Sequence, residues 1–127
     1  MRQRVSSYED LEVYQLAIAL QQRIFLETKA WPKSETYALV DQIRRSSRSI
    51  GANIAESWAK RRYKAHFISK LTDSDGEQNE TRHWLYTAWL CCYLQKSVYD
   101  ELSESCNRIG AMLGRMLKGS DSWTVGL

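Results

Sequence analysis

The chain has 127 residues, with 18 lysines and arginines, 15 aspartates and glutamates, and a formal net charge of +3. This length suits one domain with its own apolar core, and one proline with six glycines favours long helices, which predicts an all-α protein. No stretch approaches the roughly 20 apolar residues that span a bilayer, and the N-terminus lacks the apolar region of a signal peptide. We therefore expect a cytoplasmic protein that makes no membrane contact.

The first two predicted helices cover residues 8–29 and 34–60. Ser7 is the expected N-cap of the first, with Asp10 three residues on completing a capping box. Pro32 separates the two helices, because proline suits a first turn but not a helix interior. Apolar and small residues of the second helix alternate steps of three and four, which is typical of a helix packed antiparallel on a neighbour.

The third and fourth predicted helices cover residues 63–95 and 98–118. The third has a seam that is apolar at both ends and polar in the middle, so we expect a buried polar seam between the second and third helices. Its predicted members are Asn53, Glu56, Ser74, Gln78 and Thr81. Ser97 with Asp100 predicts a second capping box at the start of the fourth helix. Residues 120–127, which include Trp123, are expected to form a flexible tail.

These elements predict an antiparallel up-down-up-down four-helix bundle over residues 1–119. The first helix carries two apolar stripes, and Trp84 and Trp89 lie off the seam of the third helix, where a lone bundle would leave them exposed. This surplus of apolar surface predicts a homo-oligomer.

No motif in the sequence predicts catalysis. Glu80 and His83 have the Glu-x-x-His spacing of di-iron bundle proteins, but such a site needs a second copy of the motif, which is missing. Cys91, Cys92 and Cys106 lack the spacing of a zinc or redox site and are expected to be small, partly buried hydrophobes. Phosphate-binding loops and hydrolase motifs are also missing. We expect neither an enzyme, nor a metal site, nor a cofactor.

Positive charge is concentrated between residues 42 and 71, where eight lysines and arginines face one acid. Two clusters stand out: the RRSSR cluster (Arg44, Arg45 and Arg48) and the KRRYK cluster (Lys60, Arg61, Arg62, Tyr63 and Lys64). For the RRSSR cluster, pairing with acids of the same or a neighbouring subunit competes with binding of phosphate. For the KRRYK cluster, no nearby acid is expected to neutralise the charge, and the aromatic side chains could stack on unpaired bases, which favours nucleic acid over a solvated helix end.

The segment "QIRRSSRSIGANIAES" resembles the four-helix bundle proteins encoded by intervening sequences in bacterial large-subunit ribosomal RNA genes. The family pattern matches at Gln42, Ile43, Arg44, Arg45, Ser49, Ile50, Ala52, Asn53, Ile54, Ala55 and Glu56. The resemblance extends upstream through "YEDLEVYQLA" and "WPKSETYAL" and downstream through "RRYKAHFISKL" and "ETRHWL". Gly51 stands where the family usually has proline, Ser57 where it has glycine, and Glu77 where a small residue is common.

The resemblance implies a compact subunit that assembles into a ring, a homopentamer with a central pore. The family name suggests RNA as a partner, and similar proteins in retroelements bind nucleic acid and a reverse transcriptase. Two functions follow from the residues and the resemblance together. One is a nucleic-acid-binding ring that uses both basic clusters. The other is a structural or protein-interaction scaffold whose arginines serve subunit contacts. Fold alone does not choose between them.

Overall fold

The computed structural model describes residues 5–124. It contains four long helices, namely α1 (Glu12–Thr28), α2 (Leu39–Ala59), α3 (Lys64–Leu90) and α4 (Lys96–Lys118), followed by a short helix α5 (Ser120–Trp123) and with 3-10 turns at Tyr8–Asp10 and Lys33–Glu35. No strand occurs among these residues, so the all-α prediction is confirmed. No helix in the described part of the chain has the length and apolar character needed to cross a membrane.

The four long helices pack as an antiparallel bundle. Helices α1 and α3 each contact both α2 and α4, while within residues 5–124 the diagonal pairs do not touch. Hydrogen bonds between α2 and α3 show the direction of packing: Ser46 pairs with Thr81, and the Ile50 carbonyl accepts from Ser74. The residue number rises along α2 as it falls along α3, so the two helices run in opposite directions.

The core is made of apolar side chains from all four long helices. Ile24, Ile50, Phe67, Leu85 and Ile109 are among the large side chains that are almost completely buried. Along each helix the buried positions recur at steps of three and four, as Val13, Ala17, Leu20 and Ile24 do in α1, so each helix turns one stripe inward. Burial of this apolar surface is the main stabilising contribution to the bundle.

The polar seam contains three of the five predicted residues. Ser74, Gln78 and Thr81 are buried, as a seam requires. On α2, Thr81 pairs with the Ser46 hydroxyl and Ser74 with the Ile50 carbonyl, rather than with Asn53. Gln78 lies on the other side of α3, where its amide donates to Asp75 of the same helix and faces Gly110 of α4.

The other two predicted members, Asn53 and Glu56, lie outside the seam. The Asn53 side chain donates to the Ser49 carbonyl of its own helix, and the exposed Glu56 pairs with Lys70 at 2.8 Å. The prediction was wrong for α2 because the buried face of this helix contains Ser46 and Ser47. The sequence alone does not indicate that these serines are buried.

The predicted helix starts are partly confirmed. Ser7 and Asp10 form the capping box, but it caps the 3-10 turn at Tyr8–Asp10, and α1 begins only at Glu12. The second predicted capping box is wrong: Gln95 is the N-cap of α4, and Asp100 instead accepts from Lys96 at 2.7 Å. The lysine ammonium one turn earlier competes for the carboxylate that the capping box needs.

Like α1, two further helices are shorter than predicted. The segment after Pro32 forms only a 3-10 turn, and α2 starts at Leu39 rather than at residue 34. Helix α3 ends at Leu90 rather than at residue 95, because Cys92 takes a left-handed backbone conformation with φ of 64°. Cys91 and Cys92 are exposed there, contrary to expectation, whereas Cys106 is buried and desolvation raises the pKa of its thiol to about 12.

The predicted flexible tail is partly helical. Residues Ser120–Trp123 form α5, Ser120 is buried, and the Trp123 ring lies 6.1 Å from the Trp58 ring in an edge-to-face arrangement. The indole ring of Trp123 therefore anchors α5 against the end of α2. Residues 125–127 of the predicted tail lie outside the described part of the chain.

Two glycines of α4 provide a matched test of the packing. A Cβ atom at Gly110 would lie 2.8 Å from Nε2 of the buried Gln78, whereas one at Gly114 would meet nothing within 4 Å. Gly114→Ala should raise the free energy of unfolding by about 0.5–1 kcal/mol, because alanine loses less backbone entropy in a helix. Gly110→Ala should be at least about 1 kcal/mol less stable than Gly114→Ala, because Gln78 must shift. Urea denaturation measures both, and equal stabilities would contradict the packing between α3 and α4.

Candidate nucleic-acid interface

The KRRYK cluster lies at the turn between α2 and α3. Helix α2 ends at Ala59, Lys60 is its C-cap, and α3 begins at Lys64. The tight reversal turns most of these side chains outward, and Lys60, Arg62, Tyr63 and Lys64 are exposed. The structure thus confirms that the segment is the connection between two helices, and it puts the side chains of the cluster at one end of the bundle.

Two of the four cations in the KRRYK cluster have partners within the subunit. The Arg61 guanidinium lies 3.6 Å from the centre of the Trp58 ring and donates through Nε to the Trp58 carbonyl at 2.9 Å. Lys64 forms an ion pair with Asp121 of α5. The expectation that no nearby acid neutralises this cluster is therefore wrong, because α5 folds back and brings Asp121 to it.

The remaining cations of the KRRYK cluster face solvent. Within residues 5–124, neither Lys60 nor Arg62 forms an ion pair, and neither donates a side-chain hydrogen bond. Tyr63 is 51% exposed, and its ring lies 5.6 Å from that of His66. Lys60, Arg62 and Tyr63 therefore form a surface with two exposed cations that make no ion pair among the described residues and one accessible aromatic ring.

The RRSSR cluster lines a groove along the outer side of α2, together with Asp41 and Ala52. Arg44 points towards α1: its Nε donates to the Thr28 hydroxyl at 2.9 Å, and its guanidinium lies 4.8 Å from the centre of the Phe25 ring. Arg45 and Arg48 are exposed. The three arginines thus line one groove, and Arg44 is held by a hydroxyl and an aromatic ring rather than by an acid of its own subunit.

Sequence reasoning missed the part of α1 on which Arg44 packs. The Lys29 ammonium lies 4.6 Å from the centre of the Phe25 ring, on which Arg44 also packs. Phe25 and Lys29 are four residues apart, which places both on one face of a helix. That spacing is visible in the sequence, but its proximity to Arg44 depends on how α1 packs on α2.

The two basic clusters do not form one continuous patch. Arg48 and Lys60 are twelve positions apart in the sequence, which corresponds to about 18 Å along a helix. The RRSSR cluster lies in the first half of α2, whereas the KRRYK cluster lies beyond its end. Each cluster is therefore a separate candidate site.

A pair of carboxyl groups lies next to the RRSSR cluster. Burial and repulsion from Glu80 raise the pKa of Glu77, although the charge of Arg45 acts in the opposite direction. Oε2 of Glu77 is buried and has no hydrogen-bond partner among the described residues. Glu77 is thus a poorly compensated charge beside the α2 arginines.

The histidine, cysteine and carboxylate side chains are the groups that could form a metal or catalytic site. Within residues 5–124, no group of three or more His, Cys, Asp and Glu side chains is arranged to hold a metal ion. His83, from the Glu-x-x-His motif, is exposed and lies 4.7 Å from the Trp84 ring, measured between ring centres. The environment of His83 is therefore an aromatic surface.

Comparison with known proteins identifies relatives of this bundle. The family model for the 23S rRNA-intervening sequence protein matches residues 9–115. A crystal structure of a protein of unknown function from the S23 ribosomal protein family of Bacteroides thetaiotaomicron is 28% identical, with a TM-score of 0.74. That similarity covers 84% of this chain and 95% of the other. No curated protein matches the chain.

The pH dependence of the protein's stability should reveal the cost of burying the Glu77 charge. Since the folded protein holds the Glu77 proton more tightly than the unfolded chain, this residue lowers stability as pH rises through and above the ordinary range for glutamate. Glu77→Gln should therefore stabilise the protein at pH 7, and the gain should vanish at about pH 3.5, where wild-type Glu77 is also neutral. Thermal unfolding at both pH values measures this difference, and a gain of equal size at both would refute the assignment.

Proposed function

The chain belongs to the 23S rRNA-intervening sequence protein family, and we propose that it is a non-catalytic, oligomeric protein that binds RNA or another nucleic acid. The observation that carries the proposal is the free surface of the KRRYK cluster. Lys60 and Arg62 are exposed without an acidic partner among the described residues, and the Tyr63 ring is accessible beside them. This function needs neither a metal nor a cofactor, and it would be carried out in the cytoplasm.

The chemistry of this surface suits a phosphate backbone. Each cation that contacts a phosphate releases condensed counterions, which drives binding and makes it depend on salt. The Tyr63 ring can stack on an unpaired base of any identity. Arg61, held flat against Trp58, and Lys64, paired with Asp121, contribute less because their charges already have partners. Binding by this surface should therefore be only weakly selective for sequence.

The number of free cations in one subunit is small, so the proposed function relies on assembly. We propose a homo-oligomeric ring, a pentamer, that repeats the surface around its axis. Exposed apolar side chains support assembly, since Leu26 and Leu90 are each 59% exposed and Tyr37 is 95% exposed. Several weak sites on one ring raise the avidity for a single polymer by orders of magnitude.

A second candidate function is a scaffold for protein contacts. Arg44 is oriented by Thr28 and Phe25, while Arg45 and Arg48 project from the same groove. Such a preorganised set of guanidinium groups suits a protein surface as well as a phosphate. This candidate places the RRSSR cluster in a protein interface and leaves the KRRYK cluster without a role.

Charge reversal of the free cations tests nucleic-acid binding. Lys60→Glu combined with Arg62→Glu should weaken binding of a short structured RNA by at least about tenfold at low salt, because two attractive charges become repulsive. Fluorescence anisotropy titrations at several salt concentrations measure the affinity, and the dependence of log affinity on log salt should become shallower.

The matched control reverses two lysines at the opposite end of the bundle. Lys29→Glu combined with Lys33→Glu changes the net charge by the same amount at exposed positions. This control should lose much less affinity than the Lys60/Arg62 variant. Equal losses would mean that only overall charge matters, and an unchanged affinity in the Lys60/Arg62 variant would remove the KRRYK cluster from the interface.

A further inference from the structure

A second groove lies between α3 and α4 and has the opposite character to the one that the RRSSR cluster lines. It is lined by Arg82, Tyr86, Tyr99, Asp100, Ser103 and Glu104, among others, and we call it the aromatic groove. Tyr86 is 46% exposed, and Tyr99 is stacked on Trp89 with 5.4 Å between ring centres. Aromatic rings held in place beside carboxylates are a typical binding surface for guanidinium groups.

Two polar groups of the aromatic groove lack partners within the subunit. Glu104 forms no ion pair among the described residues, whereas Asp100 is paired with Lys96. The Ser103 hydroxyl oxygen is buried and has no hydrogen-bond partner in the described part of the chain. A buried hydroxyl without a partner is costly, so a polar group that bonds to Ser103 from within this groove would be stabilising.

The two grooves complement each other in charge. The α2 groove presents Arg45 and Arg48 as exposed cations, and its one acid is Asp41. The aromatic groove presents Glu104 as an acid without an ion pair among the described residues and Asp100 as an acid that Lys96 already pairs, and its one arginine is Arg82. The arginines of the α2 groove therefore have acids as counterparts in the aromatic groove, and Asp41 has Arg82. This pattern is expected of two surfaces that meet.

The two grooves also lie at the same level along the bundle. The hydrogen bond between Ser46 and Thr81 sets the middle of the RRSSR cluster level with residue 81 of α3. On the other side of α3, Gln78 faces Gly110 of α4, which places the residues just before Gly110 at a similar level. A rotation about an axis parallel to the helices keeps each level unchanged, so only grooves at equal levels can meet around a closed ring.

The connectivity of the bundle puts the grooves on different sides. Arg44 reaches Thr28 of α1, so the α2 groove opens on the side of α1 and α2. The aromatic groove lies between α3 and α4, and helix α1 does not contact α3 within residues 5–124. One subunit can therefore present its α2 groove to one neighbour and its aromatic groove to another, as a head-to-tail ring requires.

We propose that the occupant of the aromatic groove is a second copy of this chain, which inserts Arg45 and Arg48 of its α2 groove towards Asp100 and Glu104. The proposal rests on the ring assembly proposed above, but not on nucleic-acid binding. It assigns the RRSSR cluster to the subunit interface and leaves the KRRYK cluster, at the far end of α2, free for a nucleic acid.

Paired charge reversals test this interface. Arg48→Glu and Glu104→Arg should each weaken self-association by at least about tenfold, since each places like charges in contact. The double variant has the same net charge as the wild type and restores opposite charges in every interface, so its association should return to within about threefold of wild type. Sedimentation velocity over a concentration series measures association, and circular dichroism checks that each variant is folded.

The Lys60→Glu/Arg62→Glu variant is the control for charge alone, and it should sediment as the wild type does. Unchanged association in both single variants, or a double variant no better than the single ones, would overturn the interface. A wild-type protein that sediments as a monomer would also overturn it. If Arg48→Glu lowers RNA affinity while assembly stays intact, the occupant of the α2 groove is nucleic acid and the proposal is wrong.

The same variants separate this inference from the proposed function. Restored assembly in the Arg48→Glu/Glu104→Arg variant supports the interface whether or not RNA binds. Anisotropy of the Lys60→Glu/Arg62→Glu variant tests RNA binding whether or not the interface is correct. The two proposals can therefore fail independently.

Discussion

The register between α2 and α3 is the constraint on which the rest of this structure depends. Two hydrogen bonds set it, because Thr81 pairs with Ser46 and Ser74 donates to the Ile50 carbonyl in a largely apolar interior. Sliding one helix along the other would break both bonds and leave the buried Ser74 hydroxyl unpaired, which costs about 1–3 kcal/mol. Ser46 and Thr81 would keep only their bonds to the Ile43 and Glu77 carbonyls of their own helices. Two short hydrogen bonds therefore hold the α2 arginines level with the groove on the other side of α3.

Much of the fold could be predicted from the sequence, because the spacing of apolar residues reports helices directly. The order of the four long helices and the position of the seam on α3 follow from steps of three and four. The boundaries were less predictable because they depend on local competition. Asp100, for example, bonds to Lys96 and not to the backbone at Ser97. The sequence did not identify Ser46 as the partner of Thr81, because a serine resembles a surface residue until the rotation of α2 about its axis is known.

The candidate site was only half predictable, for a reason of chain topology. Counting charges locates the KRRYK cluster, but it cannot show that Asp121, which is 57 residues further along, returns to pair with Lys64. The same holds for Phe25, whose proximity to Arg44 appears only when α1 packs on α2. Sequence shows which charges are present, whereas the fold decides which of them are already neutralised.

That distinction explains how a chain with a net charge of only +3 can carry two separate basic surfaces. Arg44, Arg61, Lys64 and Lys70 are engaged within the subunit by a hydroxyl, a ring or a carboxylate. The exposed pairs that remain, Arg45 with Arg48 and Lys60 with Arg62, lie towards opposite ends of α2. Because charges in water are screened over about 10 Å at moderate salt, pairs some 18 Å apart along a helix act nearly independently. In the ring that we propose, one pair holds a neighbouring subunit while the other stays free, so that assembly would multiply the free pair without weakening it.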